Sequence, residues 1–286
     1  MKVVLDGKKT SQDILEEIKK ESINLGITPG LCVIMVGDDP ASSVYVKNKE
    51  KACEKVGFYH KTYRLMSDTT QDQLLSVIEE VKQDCNIHGL IVQLPLPKHI
   101  NEELILNSIP VDKDVDCFHP FNVGNILTKK KTDAPLSIAP CTPAGVMELL
   151  ERYNIDPAGK RAVIVGRSNI VGKPLALMLL NRDATVTICH SRTKDLAAVV
   201  KEADIVVAAV GVAKLVTANM VKEGAVVIDV GVNRMSDGKL CGDVDYETVK
   251  DKASAITPVP GGVGPMTIAM LLKNTFNMAK KQKFCK

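Results

Sequence analysis

The sequence predicts an α/β protein of two lobes with a cleft between them: an N-terminal α/β domain, then a Rossmann-like doubly wound domain. Three features carry this prediction. Short β-branched runs alternate with helical stretches through both halves of the chain, the pattern of parallel α/β sheets. The interval from Pro95 to Pro143 holds seven prolines, interrupts the alternation and makes the natural boundary. No window reaches ~18 uninterrupted apolar residues, so no membrane span is expected.

In the first half, residues 31–37, 61–66 and 89–94 predict strands, and 12–25, 43–56 and 71–84 predict helices. The 89–94 run is of the buried type; Gln93 interrupts it and Pro95 stops it. Residues 95–143 predict loop. In the second half, strands are expected at 162–165, 185–189, 205–209 and 225–230, and helices at 144–152, 173–181, 195–201 and 219–222. A last strand at 253–256 leads into Pro258-Val-Pro-Gly-Gly-Val-Gly-Pro-Met-Thr267, and a helix at 267–278 leads out. Three prolines and three glycines in that decamer predict a stiff, side-chain-poor loop, along which a flat ligand can approach the backbone. The domains read as 1–120 and 121–266, with a C-terminal helix of about 267–286 packing back on the first.

Composition narrows the function. The chain has 286 residues, 45% hydrophobic and 25% charged, enough for one large or two ordinary domains. A net charge of +3 is too small to argue for nucleic acid. Aromatics at 3%, with no Trp, give no platform for stacked bases. The lysine runs 129–131 and 280–281 read as solvated faces or chain ends. Eight cysteines form no C-x-x-C pair and none has a histidine at metal-ligand spacing. Cys32 and Cys189 lie in apolar runs and read as small buried hydrophobes, which suggests a reducing compartment. Residues 1–9 lack a signal-peptide core, so a cytoplasmic location is the default.

The second half carries a nucleotide signature. The 162–165 strand runs into Gly166-Arg167-Ser168-Asn-Ile-Val-Gly172-Lys-Pro174 and then a helix. Strand, glycine-bracketed turn and helix is how a dinucleotide's phosphates are held, although this is not G-x-G-x-x-G. The next strand ends in His190-Ser191-Arg192-Thr193, where a pocket for NAD has a carboxylate for the ribose. A carboxylate would repel a 2′-phosphate, whereas Ser191, Arg192 and Arg167 can donate to it, so NADP is expected over NAD. Val210-Gly211 and Asp229-Val-Gly-Val232-Asn233 fit a nucleotide edge at two further strand ends. Asp229 could equally be a turn former.

The first half carries candidate chemistry. Tyr45 and Lys49, four apart on one helix face, could position water or move protons, or could be a surface pair. Gln93 needs a partner, which could be a substrate amide, a lysine or a loop. Asp112, Asp114 and Asp116 could attract magnesium or could serve as turn and cap residues. His119, before Pro120, is an acid–base group by type or a packed turn residue.

In one order these segments resemble the bifunctional methylenetetrahydrofolate dehydrogenase/methenyltetrahydrofolate cyclohydrolase family. The marks are Tyr45-x-x-x-Lys49, Val92-Gln-Leu-Pro-Leu-Pro97, Lys113-Asp-Val-Asp116, Pro140-Cys-Thr-Pro143, the Gly166–Pro174 turn and the decamer. The resemblance covers nearly the whole chain. It implies that domain 1–120 binds folate and domain 121–266 binds NADP. It implies that Lys49 serves the cyclohydrolase step, with Tyr45 and Gln93 tuning it. Asp116 would grip the pterin, and Pro258, Gly261 and Gly262 would belong to the folate wall. Gly166, Arg167, Ser168, Ser191, Arg192, Gly211 and Val232 would face NADP. The partners implied are tetrahydrofolate derivatives and a second copy of the chain as a homodimer; no metal, nucleic acid or membrane is expected. The chain departs from the family at Cys117, where glycine is usual. The residues alone leave two rivals open, another NADP-dependent reductase and a non-catalytic nucleotide sensor.

Overall fold

A computed structural model describes residues 2–128 and 138–284. The lysine run 129–131 and Cys285 lie outside the described residues. The chain opens with β1 (Val3–Val4) and α1 (Gly7–Leu25). The helix begins ahead of its apolar stripe because Asp6 caps it, its Oδ1 accepting from Lys9 N at 2.9 Å. Next come β2 (Gly30–Val36), α2 (Pro40–Val56), β3 (Tyr59–Leu65), α3 (Gln71–Gln83) and β4 (Gly89–Val92), close to the predicted places. Asp39 caps α2 through Ser42 N, Pro40 takes its first position, and Gly57 closes it in the left-handed region. Thr70 and Gln73 form a capping box on α3.

The interval expected to be loop holds two helices, α4 (Glu102–Ser108) and α5 (Pro120–Thr128). Asn101 accepts from Leu104 N, and Glu102 and Glu103 favour the first turn of α4. Pro120 sits where a missing N–H costs nothing. Proline density alone does not separate a loop from a helix start.

The alternation resumes with α6 (Cys141–Arg152), β5 (Arg161–Val165), α7 (Gly172–Leu180), β6 (Thr185–Cys189), α8 (Leu196–Lys201), β7 (Ile205–Ala208) and β8 (Val226–Asp229). The helix expected at 219–222 is a single 3₁₀ turn, Ala218–Met220. A short antiparallel hairpin of β9 (Asn233–Arg234) and β10 (Leu240–Cys241), then α9 (Tyr246–Val249), are too brief for periodicity to reveal. After β11 (Ala255–Ile256) comes α10 (Val263–Phe284). The decamer is therefore not loop throughout. Gly264 and Pro265 fall in the first turn of α10, where backbone N–H groups have no intrahelical partner to lose.

The described chain divides into two units. One comprises Asp13–Asn125 with the described parts of Pro135–Cys141 and Ile268–Lys286. Its sheet runs β3-β2-β4, parallel throughout, with β2 buried along its length. Ile34, Leu74, Ile78, Leu90 and Ile105 share its core, as α3 and α4 cover that sheet. The other unit comprises residues 2–12 and Thr142–Thr267 with residues 126–128. Its sheet runs β1-β11-β8-β7-β5-β6, again parallel, over a core that includes Val163, Val206 and Val227. The chain moves outward from β5 to β6 and then returns past it to β7. The switch point of this doubly wound sheet thus lies between β5 and β7, where ligands collect beyond the carboxyl ends.

Candidate active site

In the first unit, α2 and the end of β4 bring an amine and an amide together. Lys49 Nζ donates to Gln93 Oε1 at 3.0 Å. Gln93 Nε2 donates to Leu94 O at 2.7 Å, which orients the amide and leaves its oxygen for the lysine. The backbone cooperates: Gln93 N donates to Ile34 O, prolonging the ladder by one residue. Ser42 Oγ to Leu94 O at 3.5 Å ties the start of α2 to the same strand end. Lys49 and Gln93 are half-buried, while Tyr45, one turn earlier, is 51% exposed.

Asp116 is placed by a different set of contacts in the same unit. The segment ahead of it runs beside β4, with Leu90 N donating to Lys113 O at 2.7 Å. Asn274 Nδ2 donates to Val115 O and Ala139 O, both at 2.8 Å, holding this strand from α10. Cys141 Sγ lies 3.7 Å from Asp116 Oδ1. Burial raises the Asp116 carboxyl above its usual range. The Lys49 ammonium opposes that rise and the Asp114 charge adds to it. Asp114 and Lys113, from the same segment, do structural work. Asp114 accepts from Phe118 N, His119 N and Asn122 Nδ2, while buried Lys113 donates to the carbonyls of Val81 and Asp84 near the end of α3. His119 Nδ1 accepts from Phe121 N. Among the described residues no group of three or more His, Cys, Asp or Glu side chains could hold a metal ion.

Cys117 has φ 60°, a conformation that costs an L side chain about 1–2 kcal/mol. This is where the resemblance expects glycine, which accepts that angle freely. The turn forms regardless, because Asp114 caps the next two amides. Burial drives the Cys117 thiol well up, and likewise pushes Cys32 and Cys53 up to about 12, so these are inert packing groups.

In the second unit a cavity of ≈ 520 Å³ lies at the switch point, lined by Gly166, Arg167, Ser168, Ser191, Val210 and others. Gly166 is fixed by geometry. At φ 131°, a Cβ here would stand 2.2 Å from Ala209 O. Ser168 Oγ accepts from Val171 N and Gly172 N at the start of α7 and keeps its own proton to donate. His190 N donates to Thr193 Oγ1, and Arg192 N to His190 Nδ1, shaping the turn after β6; Arg192 is exposed and, unlike Ser191, is not among the residues lining the cavity. Gly211, at φ 68°, donates its N–H to Asp243. A second cavity of ≈ 190 Å³ gathers Val232 with Pro258, Gly261 and Gly262. Gly261 O accepts from Lys8 N, so the start of α1 is docked on the decamer. Asp229 is more than a turn former: it is buried and accepts three backbone N–H bonds.

Two models from one protein family account for both halves. One described as the Tetrahydrofolate dehydrogenase/cyclohydrolase catalytic domain matches residues 5–116, and that family's NAD(P)-binding domain matches residues 140–283. The chain belongs to the tetrahydrofolate dehydrogenase/cyclohydrolase family. The bifunctional protein FolD of Magnetococcus marinus is 58% identical over 282 residues, covering 97% of each chain. The crystal structure of the bifunctional enzyme FolD, a methylenetetrahydrofolate dehydrogenase/cyclohydrolase from Campylobacter jejuni, is 52% identical with TM-score 0.95, covering 99% of this chain and 100% of that one. A Trypanosoma brucei dehydrogenase-cyclohydrolase complexed with NADP cofactor and inhibitor is 40% identical with TM-score 0.93, covering 99% of each. As a member of the tetrahydrofolate dehydrogenase/cyclohydrolase family the chain is an enzyme, which removes the non-catalytic reading.

Asn274, Asp243 and Thr257 were not singled out by sequence reasoning. One signal was there: Asn274 follows the apolar run 268–272 in a helical stretch, and a buried amide needs a partner for the same reason as Gln93.

Proposed function

We propose that this chain oxidises 5,10-methylenetetrahydrofolate to 5,10-methenyltetrahydrofolate with NADP, then hydrolyses the product to 10-formyltetrahydrofolate. The observation that carries this reading is the Lys49–Gln93 hydrogen bond at 3.0 Å, with the Asp116 carboxyl within electrostatic reach of that ammonium, in a chain of this family. The cavity at the switch point suits NADP. It is roomy, the backbone is bare at Gly166, and Ser168 and Ser191 offer hydroxyl donors beside the Arg167 guanidinium. Gly166, Arg167, Ser168, Ser191, Arg192, Gly211 and Val232 are the residues assigned to hold it. When bound, NADP supplies the acceptor for the hydride that leaves the one-carbon bridge.

The first step leaves an amidinium-like cation shared by two nitrogens, so no side chain need remove a proton there. Positioning supplies much of the rate. The second step adds water to that cation, opens the ring and releases one proton. It needs a group that moves protons at the attacking water, the role assigned to Lys49 Nζ. Gln93 holds that amine in place through Oε1, and Tyr45, on the same helix face, orients the reacting edge. Asp116 is the residue assigned to accept from the pterin's N–H groups, and Pro258, Gly261 and Gly262 are assigned to folate by the family resemblance.

Initial rates with NADP and NAD at equal concentration test the cofactor assignment. NADP is expected to be preferred, and Arg167→Ala should raise the NADP KM roughly tenfold while changing the NAD KM little. A preference for NAD would overturn the roles of Ser191 and Arg167. We further propose a homodimer formed through the cofactor unit, whose strand β6 is a sheet edge carrying Ile188 at 37% exposure. The described cysteines are all free, which supports a reducing, cytoplasmic setting. No described helix is long and apolar enough to cross a membrane.

A further inference from the structure

Two buried carboxylates in the cofactor unit take no part in the chemistry above. Asp229 ends β8 at 3% exposure, and Asp243 follows β10 at 0%. Asp229 Oδ1 accepts from Gly231 N at 3.0 Å and Asp243 N at 2.9 Å, and its Oδ2 accepts from Val244 N at 2.8 Å. Asp243 Oδ2 accepts from Val210 N at 2.7 Å and Gly211 N at 2.9 Å, and its Oδ1 from Asn233 Nδ2 at 2.9 Å. Thr257 Oγ1 accepts from Asp229 N at 2.7 Å, joining β11 to the same chain of bonds. The fit is close on both sides. A Cβ on Gly231 would come within 2.2 Å of the Asp243 carboxyl, and one on Gly242 within 1.8 Å of Asp229 Oδ2.

Burying a carboxylate is costly unless donors surround it, so this arrangement is there to hold something. Val210 and Gly211 present two consecutive N–H groups to one point, which is an anion-binding nest. At the carboxyl end of a strand beside the switch point, such a nest ordinarily faces a ligand. Here an internal carboxylate fills it, and that carboxylate is anchored in turn by Asp229. The turn after β7 is thereby fixed, and Val210 from that turn lines the same cavity as Gly166 and Ser168.

We propose that Asp243 is a positioning residue for NADP, setting the Val210–Gly211 turn against which the cofactor lies. This rests on the reading that the cavity at the switch point takes NADP. Asp243→Asn keeps the side-chain volume but leaves one acceptor oxygen for three donors, and Asp243→Ala leaves none. The NADP KM is expected to rise about threefold or more in Asp243→Asn and about tenfold or more in Asp243→Ala, with dehydrogenase kcat at saturating NADP within about twofold. Cyclohydrolase turnover of methenyltetrahydrofolate, which consumes no NADP, should stay within about twofold in Asp243→Asn and reports on the fold. An unchanged NADP KM in Asp243→Asn overturns the proposal. So does a cyclohydrolase loss equal to the dehydrogenase loss, the mark of a merely structural carboxylate. Arg167→Ala, assayed in parallel, separates the two layers. A rise there with none in Asp243→Asn sinks the positioning role alone, while no rise in either variant sinks the cavity assignment beneath it.

Discussion

Lys49→Ala is expected to lower cyclohydrolase kcat by about 10²- to 10⁴-fold, the range for removing a positioned proton-transfer group, while leaving substantial dehydrogenase activity. The asymmetry follows from the chemistry. Hydride departure produces a cation that its two nitrogens already stabilise, and no protein group must take a proton. Water addition and ring opening cannot proceed without proton movement. Lys49 is suited to this task by where it is held: Gln93 Oε1 fixes its ammonium at 3.0 Å, and Gln93 is itself fixed by Leu94 O. A Gln93→Ala change frees the amine without removing it, so its cyclohydrolase loss should be smaller than that of Lys49→Ala. Assaying each activity separately checks this. Two activities that fall together would make Lys49 a binding residue, and two that both persist would remove it from the mechanism.

Asp116→Ala is the second large effect. Loss of a two-point carboxylate contact with the pterin should cost about 2–3 kcal/mol, roughly 30- to 150-fold in KM for both folate substrates. The NADP KM should hardly change. The same site predicts a pH dependence. Burial raises the Asp116 carboxyl in the free enzyme, the Lys49 ammonium only partly countering it. In the role proposed for it Asp116 accepts as the ionised form, so folate KM should fall as pH rises through that raised value and climb on the acid side. Steady-state KM measured across pH gives both results at once; a folate affinity indifferent to the substitution would refute the assignment.

Much of the architecture was legible in the sequence because the strands of its two main sheets are short and parallel, and most of them are apolar. A run such as 162–165 is buried on both faces and reads as one block. What escaped was set by contacts that periodicity does not encode. β1 is two residues long and exists through its pairing with β11. α4 and α5 hide among prolines because a capping Asn101 starts the one and Pro120 itself opens the other. The reach of α10 into the decamer depended on proline being tolerated in a first helical turn. At the site, Lys49 and Gln93 are 44 residues apart and their hydrogen bond could be suspected but not placed. Asp243 was invisible because an aspartate between glycine and valine in a short hairpin region looks like any turn residue. Cys117 is the instructive departure. The sequence flagged its unusual side chain, and the structure supplies the reason glycine would suit the place, a left-handed backbone.

The most direct test is one absorbance time course of methenyltetrahydrofolate, begun with methylenetetrahydrofolate and NADP, for the unaltered chain and for Lys49→Ala. The methenyl species should stay low in the first, drained to 10-formyltetrahydrofolate, and accumulate steadily in the second. A Lys49→Ala enzyme that forms 10-formyltetrahydrofolate as fast as the unaltered chain, with no build-up of the methenyl species, would contradict the account.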